Sequence, residues 1–137
     1  MKSILIVGVI LFFWVNTSLF ANDSKFDTAG VPTPGLVTMV DLGAHKCIPC
    51  KMMAPIIEEL QREYAGRASI VFIDVWEHHE QVERFGIQAI PTQIFYDKSG
   101  KEAKRHVGFM DKISIVAVLE KLGVPNREAS ETNKPGF

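Results

Sequence analysis

A single α/β domain, with a central mixed β-sheet flanked by helices, is the fold this sequence predicts. Three observations lead there. Apolar runs of strand character alternate with amphipathic stretches in the order β-α-β-α-β-β-α. A long helical pattern joins the first two strands, which makes them parallel with a right-handed crossover. A turn, Asp97-Lys98-Ser99-Gly100, joins the last two, which makes them an antiparallel hairpin on the same sheet.

The elements follow in chain order. Residues 36–42 (Leu-Val-Thr-Met-Val-Asp-Leu) read as a buried strand that stops at Gly43. After Cys47, Met53, Ile56, Ile57, Leu60 and Tyr64 recur at helical steps, while Glu58, Glu59, Gln61 and Arg62 fall on the other side. Pro55 lies inside that helix and is expected to kink it; Gly66 closes it. Residues 69–75 are β-branched and apolar, a second strand. Residues 78–85 suit a short helix stopped by Gly86. Residues 92–96 and 101–107 flank the hairpin turn. Asp111 can cap a last helix, with Ile113, Val116, Ala117 and Leu119 expected to face inward and Gly123 and Pro125 to end it.

The chain has 137 residues, 47% apolar and 23% charged, with a net charge of −1. These are the proportions of one soluble globular domain. Scattered basic residues leave no footprint for nucleic acid, so none is expected as a partner. Residues 1–21 differ from the rest: Lys2, an uncharged apolar run from Ile4 to Val15, then Asn16-Thr17-Ser18-Leu19-Phe20-Ala21. That layout is a secretory signal peptide, with cleavage expected after Ala21, or an uncleaved N-terminal anchor. Twelve apolar residues are few for a spanning helix, which takes about 20. Either way the folded part is expected outside the cytoplasm, in the periplasm of a Gram-negative cell. Residues 22–35 are polar and Pro-containing and read as a linker, 36–123 as the domain, and 124–137 as a loose tail.

The chemistry sits in two cysteines, Cys47 and Cys50, spaced by Ile48-Pro49 where a strand hands over to a helix. Unpaired N–H groups and positive partial charge at a helix N-terminus favour a thiolate at Cys47. Cys50, one turn further in, is placed to attack a mixed disulfide formed at Cys47. Pro49 fits the first turn, where its missing donor costs little. A structural disulfide is the alternative for a secreted chain, but a bridge over two residues closes almost no loop. Zinc needs four ligands, and this pair with the neighbouring His45 does not complete a set. No metal is therefore expected. His78, His79 and His106 read as solvated surface residues.

Two separated segments carry a resemblance. Val40-Asp41-Leu42-Gly43-Ala44-His45-Lys46-Cys47-Ile48-Pro49-Cys50-Lys51-Met52-Met53-Ala54-Pro55 resembles the active-site segment of thioredoxins. Phe85-Gly86-Ile87-Gln88-Ala89-Ile90-Pro91-Thr92 resembles the family's second signature. The resemblance implies a thioredoxin fold, here with a shortened N-terminal β-α unit because only residues 22–35 precede the first strand. It implies a thiol–disulfide oxidoreductase that needs no cofactor beyond its Cys47–Cys50 disulfide. It implies catalytic roles for Cys47 as nucleophile, Cys50 as resolving thiol and Asp41 as a buried carboxylate moving the proton of Cys50. It also implies a cis-proline at Pro91 facing the disulfide, with Ile90 offering its backbone to substrate and Gly108 beside the substrate groove.

The departures point to a specialised relative. Gly43 and Lys46 stand where the family has tryptophans, Ile48 where it has glycine, and Phe72 where it has a buried lysine. Lys46 adds a cation beside Cys47 that tunes it toward the thiolate. The Ile-Pro dipeptide keeps the proline of reductases and lacks the histidine of strongly oxidising motifs. An extracytoplasmic disulfide reductase is thus the leading expectation. An oxidant or isomerase of the same fold and a non-enzymatic dithiol binding module are the alternatives. Its expected partners are protein disulfides and, for recharging, a membrane protein that passes electrons through its own cysteine pair; the chain itself is expected to be monomeric.

Overall fold

The computed structural model describes residues 30–126. The expected leader (1–21), the first part of the expected linker and the end of the tail lie outside the described residues. Seven elements follow in order: β1 (Val37–Gly43), α1 (Ile48–Glu63), β2 (Ala68–Asp74), α2 (Glu80–Arg84), β3 (Thr92–Tyr96), β4 (Glu102–Val107) and α3 (Lys112–Lys121). The sheet order is β2-β1-β3-β4. β1 runs parallel to β2 and antiparallel to β3, and β3 and β4 form the hairpin. Element order, strand directions and helix-flanked sheet are as expected from the patterning.

The alternation of β1 divides the core. Val37 and Met39 face α1 and α3, where they pack with Met53, Ile57, Leu60, Tyr64, Ile115 and Leu119. Val40 and Leu42 face the other side, where Ile73, Val75, Phe85, Ile87 and Ile94 meet them. All seven residues of β1 are buried, as befits a strand flanked on both edges and both faces. Asp41 and Gly43 therefore continue the face of Met39 toward α1, and this parity places the candidate site.

Two local expectations are corrected. The inward stripe of α3 is Ile115, Val118 and Leu119, with Leu122 and the expected Val116 partly buried against it; Ile113 is 83% exposed and Ala117 is exposed. The phase is set by apolar burial, since Ile115, Val118, Leu119 and Leu122 form one continuous helical stripe against the core. Lys112, at the first turn, bonds Glu63 and lies 3.0 Å from Glu59 on α1, and Asp111 caps the end by accepting from the Ser114 N–H at 2.9 Å. Pro55 lies inside α1, where the sequence pattern places it, on the exposed side of the helix. Second, residues 31–33 are packed. Val31 joins the second core, its carbonyl accepts from Arg84 at 2.9 Å, and the Thr33 hydroxyl bonds Ser69 at 2.8 Å. Past the last helix Val124 is buried too, and its N–H donates to the Leu119 carbonyl at 2.9 Å.

Candidate active site

Cys47 is the N-cap of α1, in extended backbone conformation. Its own N–H closes a turn to the Ala44 carbonyl at 3.1 Å, and its carbonyl accepts from Lys51 at 3.0 Å. No acidic side chain occupies the first turn of α1, so nothing there offsets the helix-end field on the sulfur. Cys47 and Cys50 form a disulfide with Cα atoms 5.2 Å apart. Cys47 is half-buried, whereas Cys50 is 3% exposed. Ile48 projects outward at 77% exposure, beside exposed Lys46.

Below the disulfide the missing side chain of Gly43 has a clear consequence. A Cβ at Gly43 would lie 3.1 Å from the Phe72 ring and 3.3 Å from the Cys50 sulfur. Phe72 and Cys50 take the space a larger residue would need. Phe72 in turn contacts the ring of His45, with centroids 5.1 Å apart. A cleft of about 510 Å³ opens beside Cys50, floored by Ala54, Ile57, Ile70 and Phe72.

Asp41 is fully buried on the same face as Gly43. Its strand neighbours are Phe72 on β2 and Gln93 on β3. The Gln93 amide donates to Asp41 Oδ1 at 2.8 Å, and Oδ2 has no partner. Burial pushes the Asp41 pKa up to about 6, and the Gln93 bond offsets only part of that push. Gln93 was not singled out in the sequence. Its signal was a polar residue inside an apolar strand, but only the β1–β3 register shows which group it meets.

The Ile90–Pro91 bond is cis, as the resemblance implies, and so is Val31–Pro32. Gly108, at φ +101°, donates its N–H to the Pro91 carbonyl at 2.8 Å. Pro91 and Gly108 are thus adjacent, and Ile90 is half-buried just before them. Thr92 pairs with Leu42, so this loop lies at the end of the sheet from which β1 leads to Cys47. Exposed Val107 and Phe109 flank Gly108.

Comparison with known proteins agrees with this arrangement. The family model described as Thioredoxin matches residues 18–121. Thioredoxin of Staphylococcus saprophyticus is 41% identical over 85 residues, which cover 62% of this chain and 81% of that protein. Thioredoxin of Staphylococcus aureus is 40% identical over 85 residues with the same coverage. Among solved structures, chloroplastic thioredoxin z is similar with a TM-score of 0.61 and 29% identity, covering 69% of this chain and 84% of that one.

Proposed function

The chain belongs to the thioredoxin family of thiol–disulfide oxidoreductases, and from that premise we propose that it is an extracytoplasmic reductase of protein disulfides. The observation that carries the chemistry is the Cys47–Cys50 disulfide at the N-terminus of α1, with Cys47 partly exposed and Cys50 buried. In the reduced protein the Cys47 thiolate attacks a substrate disulfide and expels one substrate thiolate. Cys50 then loses its proton and attacks the Cys47 sulfur of the mixed disulfide. The second substrate thiol leaves, and Cys47–Cys50 closes. Two electrons and two protons pass to the substrate, so the protein must be recharged by a dithiol donor.

The surrounding residues take parts in this scheme. Lys46 and the helix terminus favour the Cys47 thiolate. Asp41 receives the Cys50 proton from beneath. Ile90 and Gly108 present backbone groups beside Pro91 to an extended substrate segment. The apolar run after Lys2 supports export or anchoring, and in an oxidising compartment the donor would be a membrane dithiol protein. The direction rests on Ile48-Pro49, which keeps the proline of reducing motifs. Turbidity of insulin with dithiothreitol as electron source tests the activity. The wild-type chain should accelerate precipitation and Cys47→Ala should not. No acceleration by the wild type would favour a dithiol binding module.

A further inference from the structure

Asp74 ends β2 as a buried carboxylate, and the exchange scheme above gives it no part. Its two oxygens accept three backbone N–H groups. Oδ2 takes that of His45 at 2.8 Å; Oδ1 takes those of Trp76 at 2.8 Å and Glu77 at 3.3 Å. The first donor belongs to the turn that ends in Cys47. The other two open the loop after β2, which exposes the Trp76 side chain to 51%. A further bond, from the Val75 N–H to the Gly43 carbonyl at 2.9 Å, joins the same two segments. We propose that Asp74 is a positioning residue of the redox site, clamping the turn that presents Cys47 to the loop that presents Trp76. The inference rests on Cys47 being the attacking thiol.

The residue type follows from the donors. Both oxygens face N–H groups, so both must accept, and only a carboxylate does that. An amide would turn an NH2 group toward one set of donors and hold the other alone. Burial works to raise the Asp74 pKa, and the bonds from His45, Trp76 and Glu77 outweigh it, leaving the pKa below its ordinary value. The carboxylate is therefore ionised at neutral pH. Two other titratable side chains face it: His45, with Nε2 at 3.9 Å from Oδ2, and Glu77. Losing the clamp frees the turn that seats Cys47 at the helix end, so the thiolate loses part of its stabilisation.

The test is iodoacetamide labelling of the reduced full-length protein across pH, with the labelled cysteine identified by mass spectrometry. Asp74→Asn and Asp74→Ala should raise the pH midpoint of Cys47 labelling, slowing it roughly tenfold at pH 6. Glu77→Gln, which removes a nearby charge but keeps the backbone donor, should not raise the midpoint. Direction separates the clamp from simple charge: removing a negative charge near Cys47 would by itself lower the midpoint. Asp74→Asn is nearly isosteric, so it carries the test if Asp74→Ala fails to fold. An unchanged or lowered midpoint in a folded Asp74→Asn protein overturns the inference while leaving the Cys47 assignment intact. Faster labelling of Cys50 in the wild type would overturn that assignment, and this inference with it.

Discussion

Replacing Cys50 by serine should abolish turnover, by roughly a thousandfold or more, while leaving the first chemical step in place. Cys47 keeps its place at the end of α1 and still attacks a substrate disulfide. The serine hydroxyl cannot release the complex, so the mixed disulfide accumulates. Incubation of reduced Cys50→Ser protein with an extracytoplasmic extract should therefore yield covalent adducts that dithiothreitol releases. Cys47→Ser should yield none, because Cys50 is buried and out of reach of a protein disulfide. Adducts from Cys47→Ser as abundant as those from Cys50→Ser would contradict the assigned roles.

Asp41→Asn should have the second largest effect, and it should act on stability and rate in opposite directions. The unfolded chain releases the Asp41 proton near 3.8, the folded chain only near 6. Between those values the folded state binds more protons, so stability falls as pH rises. The contribution is complete below 3.8 and lost as pH rises through about 6. Above that, the buried carboxylate costs on the order of 3 kcal/mol. Asparagine carries no charge to bury and still offers an oxygen to Gln93. In urea unfolding of the oxidised protein, Asp41→Asn should be more stable than wild type by about 2–3 kcal/mol at pH 8, with the gap closing near pH 4. Disulfide exchange should nonetheless slow by roughly a hundredfold, since Cys50 loses its proton acceptor. A variant no more stable than wild type at pH 8 would contradict burial of an ionised Asp41.

Cys50 was legible in the sequence because its signal is local: two cysteines at a strand-to-helix junction stand out without a partner in view. Asp41 stood out as an aspartate in an apolar strand, but its burial was implied only by the family resemblance. The directions of the first two and last two strands, though not the adjacency of β1 and β3, were legible for a similar reason, since crossover length and turn chemistry fix direction over short spans. Features that depend on distant partners were not. Ile113 looked apolar enough to face inward, but Ile115, Val118, Leu119 and Leu122 form the stripe that meets the core, and that phase leaves Ile113 outside. Gln93 and Asp41 are 52 positions apart and meet only through register. Val31 reads as linker because Pro32 and Pro34 follow it, yet the second core buries it. The clamp at Asp74 was hidden because its three donors are main-chain groups, which side-chain patterning does not display.

The reduction potential of the Cys47–Cys50 pair tests the central claim most directly. It is measured by equilibrating the protein with dithiothreitol or glutathione redox buffers and counting free thiols by alkylation and mass. A reductase requires a potential near that of thioredoxin, about −270 mV, so that electrons flow to substrate disulfides. A value near that of a strong oxidant, about −120 mV, would mean that the pair donates disulfides instead, and the proposed direction would be wrong.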